Sequence, residues 1–578
     1  MTPRRIVSIL FAAALFAAVC AAQPLDGITH VALRVPNLER SLAFYRALGF
    51  EQAFEFRDNN QVVVAFLKVN DHQFIELYPG GASEWMHVCY ETGDIEALRA
   101  EYVRRGLSPS EVDKARAGNL LFHLNDPENH VVEFLQYLPG SLHSADRGKH
   151  LGPRRISARL MRVAVPARDP RAQREFFTSR LGLGQEIDAA SGVRLVFSTD
   201  DPARVSAELT ARGLKPAGNK TSVSIADPDG NILYFATNPP WTAVADRLIT
   251  TPVEGYVFNW GEGVQMMGLM RAAAATHNTR YTDYVERWAR YYEPRPVEEL
   301  LNIGAAAANP KRPGYCGHWS PGSAILYLYQ ERQQPEHLKL ARAIVDFIRN
   351  GAERSPEGAL GHWQGSHQLW VDTLYMACPL EAALGRMEKR PELIADAANQ
   401  IVQHAKPLQD SRTGLIYHMW DWKEGTHSEG YWGRGNGWVL MSLADTMEVM
   451  RPTDPQYAAL KDIALQLWKG LQTTQDPEGL WHTVLDDHTT YAECSATSMF
   501  VYGLLKLNRL GVLPATVREP ARKAWRTVND RYVRDGVVVG VSAGTDPRGV
   551  DAYRAKAVGT QTWGTGAYLL AASELARR

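Results

Sequence analysis

The feature that most limits how this chain can fold is a series of paired helical segments after Gly255. Apolar residues recur there at helical spacing, and Gly, Pro and Trp interrupt them. The predicted helices pair as 262–276 with 278–292, 321–333 with 335–350, 368–386 with 390–406, 436–451 with 455–473 and 494–508 with 516–530, before a last helix at 564–577. Hairpins recurring in this way predict a closed toroid with a cleft at one end.

Length and charge narrow the class of protein further. A chain of 578 residues is too long for one hydrophobic core, so we expect several domains. The formal net charge is −1 and no basic run stands out, so neither nucleic acid nor an anionic membrane is an expected partner. The five cysteines include no CxxC pair, which argues against a zinc knuckle or a dithiol redox site.

Residues 1–22 are typical of a secretory signal peptide. Two arginines precede an apolar stretch that is too short to cross a bilayer, and small residues suited to cleavage follow it. A lipid anchor on Cys20 is the less favoured alternative, because Val19 is bulkier than lipoprotein signals usually allow. We therefore expect a periplasmic or secreted protein without a membrane span.

Residues 26–138 consist of short alternating segments and two helical stretches, in the order strand, helix, strands, given twice. After a polar linker at 139–157 the pattern returns at 158–240, where DPDGNILYFAT echoes DPENHVVEFLQ. This repetition indicates an internal duplication, and the shorter second copy indicates at least one missing strand. The chain is thus predicted to be multidomain, with α+β modules of the paired βαβββ type before an all-α barrel at 250–578.

Five strings of the helical half carry a family resemblance. They are NWGEG (259–263), QLWVDTLYMACPL (368–380), RTGLIYHMWD (412–421), YWGRGNGW (431–438) and YAECSATSMF (491–500). Together, and in this order, they resemble glycoside hydrolase families 88 and 105, the unsaturated glucuronyl and rhamnogalacturonyl hydrolases. The resemblance implies an (α/α)₆ barrel that needs no cofactor. It also implies an oligosaccharide substrate whose terminal uronate carries a C4–C5 double bond, which the enzyme hydrates as a vinyl ether.

Asp372 matches the catalytic aspartate of these families. Its neighbours Trp370 and Leu374 are apolar, and such a setting is expected to raise the pKa of a carboxyl group toward that of a proton donor. The alternative is a helix cap, because an Asp at the start of a helical run can accept hydrogen bonds from backbone N–H groups.

Further positions match the substrate sites of the families. Arg434 and Trp438 are four residues apart and share a helix face; they would offer a fork to the uronate carboxylate and a stacking surface. His418 matches a substrate-site histidine. The alternatives are that Arg434 caps a helix end and that Trp438 and His418 pack in the core. Glu262 and Glu493 could be hydrogen-bonding residues of the rim or plain caps.

One departure from the families affects the predicted site. They commonly carry a second aspartate where this chain reads YCGHWSPGS, with Gly317 and His318 and no carboxylate. Either His318 takes over part of that role or the substrate differs from the usual one.

The first α+β region resembles the vicinal oxygen chelate superfamily, which includes glyoxalase I and extradiol dioxygenases. Four positions match its metal-ligand places, namely His30, Glu76, His87 and Glu133. The resemblance implies a divalent ion, and the ligand types suit Zn, Ni, Fe or Mn. The alternative is that these side chains only line a pocket.

The second copy is predicted to lack this site, with Leu160 where His30 stands and Tyr234 where Glu133 stands, so we interpret it as a scaffold or binding module. For the whole chain, an exported uronyl hydrolase is the leading hypothesis. A metal-dependent lyase, isomerase or dioxygenase with a sugar-binding barrel is the alternative, and two non-catalytic sugar-binding parts are a third.

Overall fold

A computed structural model describes residues 25–183, 187–190, 192–199, 201–219, 222–237, 241–534 and 536–577. The predicted signal peptide at 1–22 lies outside these residues. Among the helices that are described, none is long and apolar enough to cross a membrane.

The first sheet contains two βαβββ modules side by side, as predicted. The first module comprises β1 (Leu25–Val35), α1 (Leu38–Ala47), β2 (Gln52–Asp58), β3 (Gln61–Asn70) and β4 (Gln73–Pro79); the second comprises β5 (Glu84–Thr92), α2 (Ile95–Arg104), β6 (Asp113–Lys114), β7 (Leu120–Asn125) and β8 (Val131–Gln136). The strand order is β2-β3-β4-β1-β5-β8-β7-β6, so the first strands of the two modules pair antiparallel at the centre.

The polar segment at 139–157 packs against this sheet. It contains the short helix α3 (Leu142–Ala145), whose His143 is buried beside Asn119, with 2.9 Å between Nδ1 and the amide nitrogen. The buried ammonium of Lys68 lies 2.8 Å from a carboxylate oxygen of Asp146 and thereby fixes the end of the segment. Ion pairing and burial therefore give the predicted linker a fixed place.

The second sheet is a shorter copy of the first. Its elements are β9 (Leu160–Pro166), α4 (Pro170–Glu175), β10 (Ile187–Ala190), β11 (Arg194–Thr199), α5 (Pro202–Ala211), β12 (Ala217–Gly218), β13 (Ser222–Ala226) and β14 (Ile232–Thr237). The order is β10-β9-β11-β14-β13-β12, so within the described residues its first module keeps only two strands. One hydrophobic core joins both sheets.

Strand register shows which residues of the two copies correspond. Val131 and Ile232 hold the same place in the repeated DPxxx ending. Val131 pairs with His87 on β5, and Ile232 pairs with Arg194 on β11. Arg194 therefore stands where the first copy has His87.

The same register corrects the predicted equivalence of Leu160. On the neighbouring strands, Ala32 is the partner of His87 and Ala164 is the partner of Arg194. His30 lies two residues before Ala32, and Arg162 lies two residues before Ala164. Arg162, and not Leu160, thus corresponds to His30. The sequence comparison was offset by two because the Val-Pro pair on which it was aligned begins three residues after Ala32 but directly after Ala164.

The helical half closes into a toroid. Its helices are α6 (Thr242–Leu248), α7 (Trp260–Thr276), α8 (Thr279–Tyr292), α9 (Val297–Leu300), α10 (Pro321–Arg332), α11 (Pro335–Asn350), α12 (Val371–Glu388), α13 (Pro391–Leu408), α14 (Gly433–Val449), α15 (Tyr457–Thr474), α16 (Cys494–Arg509), α17 (Arg518–Tyr532), α18 (Val550–Arg554) and α19 (Thr562–Ala576). Helices α7, α10, α12, α14, α16 and α19 contact one another in turn, and α19 returns to α7. The predicted pairing of helices is confirmed.

The inner helices are buried almost all round, whereas the outer ones are amphipathic. Close contact between inner helices requires glycine: a Cβ on Gly566 of α19 would lie 2.5 Å from the backbone of Val264 on α7. Short strands gather where the inner helices begin, namely β15 (Gln368–Trp370), β16 (Met419–Asp421), β17 (Thr426–His427), β18 (Val533–Arg534), β19 (Val537–Val538), β20 (Val541–Ser542) and β21 (Val558–Gly559). We call this end of the toroid the cleft.

Candidate active site and metal centre

Asp372 lies in the first turn of α12, at the cleft. Its carboxylate Oδ2 is 3.1 Å from Nε2 of His418, and 19% of its side chain is exposed. No backbone N–H in the described part of the chain donates to this carboxylate, so the structure contradicts the helix-cap alternative. The Asp372–His418 pair instead joins two segments that are distant in sequence.

The pKa of Asp372 is lower than that of an ordinary aspartate, and the expected upward shift is wrong. Burial by itself raises this pKa, but the charge and hydrogen bond of His418 outweigh burial, and His362 and Arg434 act in the same direction. The sequence prediction considered only the apolar neighbours along the helix. In the free protein Asp372 is therefore ionised at neutral pH.

Three contacts hold His418 in place. Because an ionised carboxylate only accepts hydrogen bonds, Nε2 of His418 donates to Asp372, and Nδ1 lies 3.1 Å from the hydroxyl of Tyr553. The imidazole ring packs against the ring of Trp432 at a tilt, with 4.2 Å between the two centroids. Asn436 bonds both the N–H and the carbonyl of Ile416, which fixes the segment that carries the histidine.

Arg434 is fully buried beneath the cleft. Its two terminal nitrogens donate to the carbonyl oxygens of Ser542 and Ala543, each at 2.9 Å, and to nearby hydroxyls. Glu493 caps α16 through the N–H of Ala496 and lies 3.5 Å from the guanidinium. Glu493 is therefore a cap, and the observed contacts make Arg434 a support for the 541–545 segment.

Trp438 has no exposed surface and stacks on Tyr375, with 5.4 Å between ring centroids. Direct contact of Trp438 or Arg434 with a sugar stays a prediction, because both side chains are closed off from solvent here. The structure favours a supporting role for both.

His318 and Glu262 lie at another part of the cleft. Nδ1 of His318 donates to the carbonyl of Phe258 at 2.9 Å, and burial lowers the pKa of this imidazole. Burial raises the pKa of Glu262 to about 7, against a hydrogen bond from Thr562. Glu262 can therefore hold or release a proton near neutral pH.

In the first sheet, the four predicted metal-ligand residues converge on one point. Nε2 of His30 is 3.1 Å from Nε2 of His87, 3.4 Å from Glu76 and 3.5 Å from Glu133. His87 is 3.5 Å from Glu133 and 3.8 Å from Glu76. Four ligands placed tetrahedrally about 2.1 Å from an ion would be separated by about 3.4 Å. The spacing of these side chains therefore fits a small divalent ion.

The surroundings of this quartet also suit a metal. The hydroxyl of Tyr78 donates to the second oxygen of Glu76 at 3.0 Å, and Thr29 lies 3.1 Å from Nδ1 of His30. Such outer contacts orient metal ligands. His87 lowers the pKa of Glu133 to about 2 against the effect of burial, so that this carboxylate is ionised.

Comparison with known proteins places both halves of the chain. Residues 243–578 match the model described as glycosyl hydrolase family 88. The chain belongs to glycosyl hydrolase family 88. As the sequence predicts, it is a glycoside hydrolase of the unsaturated uronyl hydrolase type. Residues 27–134 match the glyoxalase/bleomycin resistance protein/dioxygenase superfamily, which confirms the second resemblance.

Relatives of this family 88 hydrolase include two curated enzymes and a solved structure. The unsaturated rhamnogalacturonyl hydrolase YesR of Bacillus subtilis is 30% identical over 53% of this chain and 85% of its own. The unsaturated 3S-rhamnoglycuronyl hydrolase of Formosa agariphila is 26% identical over 55% and 84%. The family 105 hydrolase of C. acetobutylicum is 25% identical, with a TM-score of 0.52 over 58% of this chain and 98% of that one.

Sequence reasoning missed several residues of the hydrolase cleft. His362 stacks on Trp370 with 4.0 Å between centroids, and burial lowers its pKa to about 3. Tyr315 lies beside His362, with 5.2 Å between ring centroids. Arg312 stands over Trp363 at 4.9 Å and faces Asp546 at 3.4 Å. These residues come from loops, where periodicity gives no signal.

Replacing His418 by Asn is expected to raise the pKa of Asp372, because the effect of burial then acts without the opposing imidazole. The limb of the pH profile of kcat/KM that belongs to Asp372 should therefore move to higher pH. His367→Asn, at a half-exposed histidine that pairs with Glu353, is the matched control and should leave the profile unchanged. If this limb of the kcat/KM profile stayed at the same pH in the His418 variant, the proposed effect of His418 on the pKa of Asp372 would be contradicted.

Proposed function

We propose that the cleft removes a terminal 4,5-unsaturated uronic acid from lyase-generated oligosaccharides by hydration of the vinyl ether. The observation that carries this proposal is the partly exposed Asp372 carboxylate, held by His418 where an inner helix begins. A single carboxyl group can act first as acid and then as base, which this reaction requires.

The chemistry starts from an ionised Asp372. An incoming uronate is itself an anion, and a like charge favours the protonated form of Asp372. The acid then gives its proton to C4, and positive charge develops at C5 and the ring oxygen. The regenerated carboxylate takes a proton from a water molecule as its oxygen bonds to C5. The hemiketal opens to a C5 ketone, and C1 releases the remaining saccharide.

We propose that Arg312 binds the carboxylate of the substrate's terminal uronate. Arg434 already donates to protein oxygens, whereas the Arg312 side chain is 38% exposed and pairs only loosely with Asp546. Its charge acts on the pKa of Tyr315 and of His362, so it lies close to the partners of Asp372. A planar guanidinium binds a carboxylate through two parallel hydrogen bonds.

Arg312→Gln is expected to raise KM for an unsaturated uronyl disaccharide at least about tenfold, because a charged hydrogen bond contributes roughly 1.5–3 kcal/mol. Initial rates at varied substrate measure this effect. Arg451→Gln removes the same charge from an exposed position and should change KM less than twofold. Equal KM values for the two variants would exclude Arg312 as the carboxylate ligand.

We further propose that the protein is exported, to the periplasm or beyond. The support is the sequence of residues 1–22, with its positive start, its apolar stretch and its small residues. Mass spectrometry of the natively expressed protein should find a mature amino terminus near residue 23. An intact initiator methionine on protein from the same source would contradict export.

For the first sheet we propose a divalent metal site formed by His30, Glu76, His87 and Glu133. The support is the short separations, 3.1–3.8 Å, of the His30 and His87 nitrogens from each other and from the two carboxylates. A bound ion would polarise an oxygen of a small ligand as a Lewis acid. The chain's own residues would orient the ligand atoms, with Tyr78 holding Glu76.

A further inference from the structure

The second sheet carries arginines at the two places where the first sheet carries the histidines of its candidate metal site. Arg162 and Arg194 replace the two histidines, and Tyr234 replaces Glu133 in the repeated ending. The strand β10 pairs parallel with β9 as β4 does with β1, and this register places Asp188 where the first sheet has Glu76. Of the four places that hold candidate metal ligands in the first copy, two therefore carry arginine in the second copy and one keeps a carboxylate residue.

These side chains project from the face opposite the core. Along β11 and β14, Leu195 and Leu233 are buried in the shared core, whereas Arg194 is exposed and Tyr234 is half-buried. They line a concave cavity of about 540 Å³, together with Arg162. We call this cavity the second cup.

Positive charge predominates in the second cup, which Arg174 also lines. Arg162 and Arg194 form no ion pair with any carboxylate that the structure describes, and no described carboxylate side chain lines the cup. Two guanidinium groups in one concavity attract an anion and can grip planar carboxylates. The ring of Tyr234 offers an apolar face between polar neighbours, of the kind on which a sugar ring can stack.

We propose that the second cup binds acidic oligosaccharides through Arg162 and Arg194, with a sugar ring against Tyr234. The class of ligand rests on the proposed hydrolase function, which supplies chains of uronate residues as substrate. The positive charge of the arginines, the ring of Tyr234 and the volume of the cavity belong to the second sheet and do not depend on the hydrolase proposal. The cup would hold a polymer on the enzyme while the cleft processes its end.

Calorimetric titration of the full chain with saturated trigalacturonate tests this proposal, because that ligand lacks the double bond the cleft would consume. The Arg162→Gln, Arg194→Gln double variant should bind at least tenfold more weakly than the wild type. A matched control, Arg168→Gln with Arg171→Gln, removes two exposed charges from the same module and should bind within twofold of the wild type. Neutral galactotriose should give no measurable heat.

Three results would overturn the proposal: equal affinity of the two double variants, equal binding of the neutral trisaccharide, or no binding of trigalacturonate to the wild type. The rate of hydrolysis of an unsaturated disaccharide distinguishes failure of the cup proposal from failure of the hydrolase proposal. That rate should be the same in the wild type and in the cup variant. A wild type that binds trigalacturonate but leaves the disaccharide intact would overturn the hydrolase proposal alone.

Discussion

Asp372→Asn is expected to lower kcat on an unsaturated uronyl disaccharide by ~10²–10⁴-fold, the usual contribution of a positioned proton-transfer group. Asparagine keeps the shape of the side chain and can still contact His418, so the fold should remain intact. It offers neither an acidic proton to C4 nor a base to the attacking water. The loss should therefore appear in kcat more than in KM.

Asp421→Asn is the matched control for that change. Asp421 is also at the cleft end, where Oδ1 accepts from the N–H of Lys423 and Oδ2 accepts from Gln368, and the amide oxygen of asparagine can preserve the first of these contacts. Its turnover should stay within about twofold of the wild type, and thermal unfolding should show both variants folded. A fully active Asp372 variant would remove the acid–base assignment.

Replacing His30 and Glu133 together by alanine is expected to abolish stoichiometric binding of a divalent metal. Loss of an outer contact alone weakens metal sites roughly 10–100-fold, so loss of two of four ligands should exceed that range. Zinc titration of the metal-stripped chain, read by calorimetry and by elemental analysis after dialysis, measures the effect. The hydrolase rate should not change, because the barrel needs no cofactor in the proposed reaction.

The control for the metal site is His123→Ala. His123 is exposed and pairs with Glu133 across β7 and β8, but it is not part of the converging quartet. It should retain one metal per chain. Negligible metal in the wild type and in both variants would make the quartet a structural cluster.

Local periodicity was enough to predict most of the fold. Every predicted hairpin of the helical half is present, because inner and outer helices differ in apolar pattern and are separated by Gly and Pro. The four candidate metal ligands were assigned from the resemblance to the vicinal oxygen chelate superfamily, and each lies in a strand that the sequence delimits clearly.

The electrostatics of the cleft could not be predicted in the same way. The pKa of Asp372 depends on His418, which is 46 residues away in sequence, and His418 in turn depends on Tyr553. The helical spacing of Arg434 and Trp438 was correct, but their shared face turns into the ring of inner helices. Which face is open depends on closure of the toroid, a long-range property.

The account's central claim is that the double bond of the substrate takes up a proton at C4 and water at C5. Reaction of an unsaturated uronyl disaccharide in D₂O, followed by nuclear magnetic resonance, tests it most directly. We expect the vinyl signal to vanish as the saccharide is released, with deuterium at C4 of a keto-acid product. Release of a uronate that keeps its double bond and carries no deuterium at C4 would contradict the claim.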